Sequence, residues 1–291
     1  MENEKIIGIT GATGFVGRHL ADRLKTDGYV VRTLIRDSSK QIKDTEFAVG
    51  DLETGENLEK FLEGVGIVVN LVGRFQPPFR DQVTGNAITL DNLCSAAVKV
   101  RVKKIIHVST LGVCGIPGEE HLFTEEDALK PDTPYALSKR LGEEVLQYYR
   151  RNFGLASIIL RPPNVYGPGS DHGAVYNLIK SAKESGGVTI HGDGTQQRDF
   201  LYVGDLVEAI VKSIGYQSSF DVFNITTADP KSLSELAGAI GKVMKIDLKV
   251  THEGEAQGAK VVAGDNSKAK KVLNWVPKTS LIEGLSLTLN V

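Results

Sequence analysis

Through the first half of the chain, short β-branched apolar runs alternate with stretches whose apolar residues recur every three to four positions. The runs are KIIGIT, YVVRTLI, EFAVGD, GIVVNLV and KKIIHVS. Their almost unbroken apolar character is that of parallel strands buried on both faces. FVGRHLADRLKTDG, NLEKFLEG and ITLDNLCSAAVKV fall between them with helical spacing. Alternation of this kind, with short connections, predicts an α/β fold built on a doubly wound parallel sheet. LASIILRPPNVYGPG adds a sixth strand and then breaks into proline and glycine. DFLYVGDLVEAIVKSIGY reads as a strand returning to the sheet, followed by a helix. From SLSELAGAIGKVM onward the pattern is helices with short strands. The predicted organisation is a larger sheet domain over 1–161 and 199–223, with a smaller, discontinuous second region over 162–198 and 224–291.

The 291 residues are 41% hydrophobic and 24% charged, an ordinary globular balance. A formal net charge of -2 gives no bulk electrostatic reason to expect a nucleic-acid partner. Cys94 and Cys114 form no C-x-x-C, and the six histidines are scattered, so no protein-bound metal is expected. The longest apolar stretch, around Val65 to Val72, is too short to cross a bilayer, so no membrane is expected. MENEKIIGIT lacks the pattern of a secretory leader, which makes the cytoplasm the expected location.

Three short motifs carry chemistry. Gly11, Gly14 and Gly17 in TGATGFVGRHL follow an apolar strand and open a helix. Such a turn brings unpaired helix N–H groups against a pyrophosphate. Tyr135 and Lys139 in TPYALSKRLGEE stand four apart, one helical turn, with Pro134 able to open the helix and Thr133 to cap it. An adjacent ammonium lowers the pKa of a phenol and makes it a proton carrier for a hydroxyl or carbonyl. VSTLGVCG stands upstream of that pair. Together and in this order, the motifs resemble the extended short-chain dehydrogenase/reductase superfamily, in particular the NAD-dependent epimerase/dehydratase family that acts on nucleotide sugars. The resemblance covers nearly the whole chain and implies a Rossmann domain.

The resemblance implies catalytic roles for Thr110, Tyr135 and Lys139, with Ser109 as the hydroxyl if the register slips by one. Tyr135 would move the proton, Thr110 would bond the same oxygen, and Lys139 would lower the Tyr135 pKa and hold the nicotinamide ribose. It further implies dinucleotide contacts from Gly11, Thr13, Gly14, Phe15, Gly17, Asp51, Leu52, Leu71, Val72, Gly73, Tyr135, Lys139 and Pro162. At the end of the second strand the family's ribose-binding acid falls on Ile35, and Arg36 follows. Arg36 can fork onto a 2′-phosphate, so NADP is the expected cofactor and NAD the second choice. The competing reading is that Arg36 is a solvated loop residue and Asp37 supplies the acid. Asp51 matches a carboxylate that faces the adenine, or else forms a turn.

A small-molecule substrate, a nucleotide sugar, is implied on Asn86, Asn164 and Arg198. LRPPNVYGPG and TQQRDFLYVGDL resemble the segments that meet the sugar and its diphosphate; the alternative for Arg198 is a structural pair with Asp199. Leu111 and Gly112 stand where family dehydratases carry Asp-Glu, which argues against dehydration. The segment RFQPPFRDQVTG, residues 74–85, fits the family poorly. The implied activity is an epimerase or close redox relative. A keto-sugar or carbonyl reductase using NADPH is the enzymatic alternative, and an NADPH-binding scaffold subunit the non-enzymatic one. The family often dimerises through helices placed here near 86–100 and 135–152, so a homodimer is an implied partner.

Overall fold

The computed structural model describes residues 6–117, 121–255 and 260–291. The opening MENEK, which carries part of the leader reading, lies outside the described residues. The chain order begins β1 (Ile6–Thr10), α1 (Phe15–Thr26), β2 (Val30–Ile35), β3 (Glu46–Val49), α2 (Leu58–Leu62), β4 (Ile67–Asn70), α3 (Phe79–Val83) and α4 (Thr89–Lys99). It continues with β5 (Lys104–Val108), α5 (Pro134–Phe153), β6 (Ala156–Arg161), β7 (Asn164–Tyr166), α6 (Gly173–Ser185), β8 (Gly187–His191), β9 (Gln197–Arg198) and β10 (Phe200–Tyr202). The last elements are α7 (Val203–Gly215), β11 (Phe220–Asn224), β12 (Lys231–Ser232), α8 (Leu233–Met244), β13 (Lys249–Glu253), β14 (Val261–Val262), α9 (Ser267–Leu273) and α10 (Leu281–Leu289).

Two compact units result. The first takes residues up to Gly115, Leu129–Arg161 and Val207–Phe223; the second takes Ile116–Ala128, Pro162–Leu206 and Asn224–Val291. In the first unit a seven-stranded sheet runs β11-β6-β5-β4-β1-β2-β3, and strands β1 to β6 pair in parallel. The order reverses between β1 and β4, which opens a crevice at the carboxyl ends of these strands. Helix α1 buries Leu20, Ala21 and Leu24 on one face, the period expected of its sequence. Phe61, Leu90, Leu93, Ile105 and Ile159 are fully buried in the core between sheet and helices. The α5 N-terminus forms as its sequence predicts: the Thr133 side chain accepts from Ala136 N–H at 3.1 Å, Pro134 opens the helix, and Gly154 ends it at φ +69°.

Lys104 stabilises the first unit from within. Its buried ammonium donates to the carbonyls of Ser213, Ile214 and Tyr216 at 2.8–2.9 Å, satisfying the carboxyl end of α7. In the second unit, Tyr166, Ile179, Phe200, Leu236, Ile240 and Leu285 form a separate core. Trp275 is fully buried there, and its Nε1 donates to Asp205 O at 2.9 Å.

One strand differs from the sequence reading. FLY does not return to the large sheet: β10 pairs with β7, and the seventh place is taken by β11. The reason lies in Asp199, just before β10. It is fully buried, and its carboxylate accepts from the backbone N–H groups of Thr227 and Ala228 and from the Thr227 hydroxyl. That holds the strand to the second unit. The division therefore falls later than residue 199, and residues 116–128 also join the second unit, where Phe123 bridges Gly264.

Candidate active site

The glycine turn after β1 is shaped by sterics. Gly11 sits at φ +72°, and a Cβ there would stand 3.0 Å from the Leu71 carbonyl carbon and Val72 N. A Cβ on Gly17 would overlap Gly11 O and Ala12 Cα. Gly14 caps α1 with no side-chain partner, and the first turn carries no acid. The helix N-terminus thus has N–H donors that no side chain caps, suited to a pyrophosphate. Beside it lies a cleft of about 440 Å³, lined by Gly11, Thr13, Ile35, Arg36, Asp51, Leu52, Val72 and Gly73 among others. Phe15 turns edge-on to His19, and Leu71 N–H donates to Thr10 O at 3.1 Å. These features fit a dinucleotide: an uncapped helix terminus, backbone approach that a Cβ would block, and a polar cleft along the strand ends.

At the far end of the cleft Ile35 is buried and apolar, and Arg36 is exposed. Asp37 also lines the cleft. Its carboxylate caps the following turn, accepting from Ser39 N at 2.9 Å and Ser39 Oγ at 2.8 Å, bonds that hold it below the usual carboxylate range. A neighbouring pocket of about 560 Å³, lined by Thr13, Arg18, Asp22, Lys40, Gln41 and Ile42, shares Thr13 and Lys40 with the first. Asp51 forms the turn weighed in the sequence: its Oδ1 accepts from Glu53 N at 2.7 Å, and the residue also lines the cleft.

The strand end after β5 separates the two candidate hydroxyls. Ser109 is buried, and its Oγ donates to Glu143 Oε1 at 2.6 Å. Thr110 continues in extended backbone, so its side chain faces the other way, and its Oγ1 accepts from Gly112 N at 3.2 Å. Lys139 is buried, and its Nζ donates to Val108 O at 2.7 Å. Burial pulls the ammonium down to about 8, opposed by the Glu143 carboxylate one turn later. Tyr135 is half-buried, and desolvation pushes its phenol up to about 12. This corrects the expectation that Lys139 lowers the Tyr135 pKa: in the protein alone, loss of water around the phenol dominates.

Asn86 also differs from its expected substrate contact. It lies fully buried in a π-helical turn spanning Thr84–Ile88. Its Nδ2 donates to Arg74 O and Ser138 Oγ, both at 2.8 Å, and its Oδ1 accepts from Arg74 N at 2.9 Å. Those bonds take both of its donors, so it serves to strap the Arg74 segment to α5. A Cβ on Gly142 would stand 2.9 Å from Asn86 O, which is why α5 carries glycine at that closest approach. The poorly matching segment is fixed at both ends: Arg74 pairs with Asp81 at 3.0 Å, and the buried Gln82 donates to Phe75 O at 2.6 Å.

Sequence reasoning missed two buried polar groups beneath these residues. Arg161 forks onto Glu143, Nε to Oε1 at 3.0 Å and NH2 to Oε2 at 2.6 Å. Across β1, β4 and β5, Thr10 donates to Asn70 Oδ1 at 2.5 Å and Asn70 Nδ2 donates to His107 Nδ1 at 3.0 Å. Burial and the nearby Lys139 charge hold the His107 pKa well below its ordinary value, so it is neutral. The sequence signals were i+4 spacing from Lys139 to Glu143 and polar residues ending apolar strands, neither of which names a partner.

In the second unit Pro162 is buried and Asn164 is exposed, its Nδ2 donating to Asp199 O at 3.1 Å. Arg198 donates from NH1 to Gln197 O at 2.8 Å, while the Asp199 carboxylate is taken up by Thr227 and Ala228. Asp199 is therefore committed to that loop. Among the described residues no group of three or more His, Cys, Asp or Glu could hold a metal, and no helix is long and apolar enough to cross a membrane.

The model of the NAD-dependent epimerase/dehydratase family matches residues 7–226. The chain belongs to that family. It is 32% identical to a UDP-glucose 4-epimerase of Mycolicibacterium smegmatis, over 96% of each chain. It is 30% identical to a GDP-mannose 3,5-epimerase of Arabidopsis thaliana, over 99% of this chain and 81% of that one. Among solved structures, a Thermotoga maritima UDP-glucose 4-epimerase with UDP-glucose superposes with a TM-score of 0.91 at 28% identity, covering 98% of this chain and 97% of that one. A Bacillus cereus UDP-glucuronic acid 4-epimerase in complex with UDP-glucuronic acid and NAD gives 0.88 at 28% identity, over 98% of both chains.

Proposed function

We propose that this protein is a nicotinamide-dependent nucleotide-sugar epimerase working by transient oxidation of a sugar hydroxyl. The observation that carries the reading is the Thr110, Tyr135 and Lys139 set at the end of β5 and the start of α5, with Lys139 tied to Val108 O and Ser109 turned away. A nicotinamide, when bound, supplies reversible hydride exchange with the carbinol carbon. Gly11, Thr13, Gly14 and the α1 terminus would hold its pyrophosphate, and Lys139 its ribose. Tyr135 Oη takes the hydroxyl proton during oxidation and returns it during reduction, while Thr110 Oγ1 bonds the same oxygen. Arg198 and Asn164 would hold the nucleotide end while the sugar turns. Leu111 and Gly112 move no proton, so water elimination has no base at this place. A scaffold subunit would need none of these proton-handling groups.

For the cofactor, the reading is NADP. Support comes from the buried Ile35, the exposed Arg36 and Asp37, whose carboxylate lines the cleft but is already bonded to Ser39. Arg18 and Lys40 add charge in the adjoining pocket. The related Bacillus cereus complex carries NAD, so the test is which dinucleotide the purified protein binds more tightly by calorimetry. Tighter NAD binding ends the NADP reading and leaves the epimerase reading intact. A reductase of a keto-sugar is the second reading, favoured by the same Arg36. For a partner we propose a second copy of this chain over the outer face of α5, where Leu137, Leu141 and Tyr148 are exposed at 40%, 38% and 51%. Light scattering at the monomer mass would remove it. The deciding experiment for function is incubation with a panel of nucleotide sugars and catalytic dinucleotide, followed by chromatography of epimers.

A further inference from the structure

We propose that Glu143 is a positioning residue for the reaction, its buried carboxylate setting through Ser109 the direction in which Thr110 faces and fixing the register of the helix that carries Tyr135 and Lys139. The proposal rests on the epimerase reading above. Glu143, Ser109 and Arg161 are exposed by only 1%, 4% and 4%. Both carboxylate oxygens are engaged: Oε1 accepts from Ser109 Oγ at 2.6 Å and Arg161 Nε at 3.0 Å, and Oε2 accepts from Arg161 NH2 at 2.6 Å. One carboxylate thus ties α5 to the ends of β5 and β6.

The consequences follow from chain geometry. Glu143 stands one turn beyond Lys139, on the same face of α5. Lys139 bonds Val108 O at 2.7 Å and Glu143 bonds Ser109, so successive turns of the helix are pinned to successive residues of one strand end. Ser109 held inward turns Thr110 outward, because adjacent residues in extended backbone face opposite ways. A buried ion pair is a weak source of stability, since apolar residues of similar volume often do as well. What such a pair can supply is a fixed geometry. Lys139 on its own helix feels the Glu143 charge and Arg161 on β6 is paired to it, while His107 on β5 faces the Lys139 charge. His107 is neutral and Arg161 is paired to Glu143 itself. The carboxylate is therefore the anion that favours the Lys139 ammonium against burial.

Two variants test this. In Ser109→Ala the Glu143–Arg161 pair stays, and only the link to the strand is lost. We expect kcat to fall about 10-fold or more with dinucleotide affinity unchanged. Thr110→Ala added to Ser109→Ala should then cost little further, because both changes remove one aligned hydroxyl. Losses that multiply across the double-mutant cycle would overturn the proposal. Glu143→Gln keeps the shape and removes the charge, so Lys139 should titrate at lower pH than in the wild type, read by NMR of labelled lysine side chains. An unmoved Lys139 titration would also overturn it, and if Glu143→Gln does not fold the Ser109 cycle decides. The NMR readout needs no substrate. A wild-type protein inactive on every nucleotide sugar would refute the functional reading, with the positioning claim still decided by the lysine titration.

Discussion

Replacing Tyr135 by phenylalanine removes one hydroxyl and leaves the ring in place. The dinucleotide groove should be unaffected, because Lys139 is held by Val108 O and the glycine turn lies on a different element. Burial holds the phenol at about 12 rather than 10, so phenolate in the protein alone carries a penalty of about 3 kcal/mol beyond that in water. At neutral pH the phenol is therefore protonated, poised to donate during reduction. Its action as a base requires the bound dinucleotide and substrate to favour the phenolate. Two results follow. Single-turnover oxidation of a nucleotide sugar, followed by absorbance of the reduced nicotinamide, should be slower in Tyr135→Phe by roughly 10²–10⁴-fold. The wild-type rate should rise with pH below the working pKa of Tyr135, and the variant should lose that rise. A variant rate within threefold of wild type, or an unchanged pH dependence, would refute the assignment of Tyr135 as the proton carrier.

Other substitutions probe separate parts of the account. Arg36→Ala should weaken NADP binding by about 10–30-fold, the value of an exposed charge-assisted fork near 1.5–2 kcal/mol, and leave NAD within threefold by calorimetry; equal losses would remove Arg36 from discrimination. Lys104→Met deletes three ammonium–carbonyl bonds at the end of α7 and should destabilise by roughly 3 kcal/mol. Thermal unfolding should fall by several degrees, with dinucleotide affinity retained at low temperature; an unchanged midpoint would contradict the capping role.

The sheet was legible because its first six strands are short apolar runs, most of them flanked by helix-period segments, and no tertiary partner is needed to see that. The Thr133–Pro134 start of α5 was legible for the same reason, since capping is local. What the sequence could not show is direction and partnership. FLY and FDVFN are both short apolar segments, and which one joins the sheet is decided by Asp199, a long-range contact with Thr227 and Ala228. Asn86 reads as a polar helix residue, yet its role depends on Arg74, twelve positions away in the chain. For Tyr135 a sequence gives the nearby charge but not the amount of water removed, which raises the phenol's pKa in the protein alone. Ser109 and Thr110 were left open by one residue of register, and the Glu143 contact is what separates them.

The central claim is that hydride removed from the sugar returns to it, so that no net cofactor is used. The most direct measurement is chromatography of a nucleotide-sugar panel after incubation with substoichiometric dinucleotide, in wild type and Arg198→Ala. The account predicts conversion between two epimers by the wild type, with severe loss in Arg198→Ala that appears mainly as weaker substrate binding. Absence of any epimer, with NADPH consumed in proportion to a carbonyl substrate, would contradict it and establish a reductase instead.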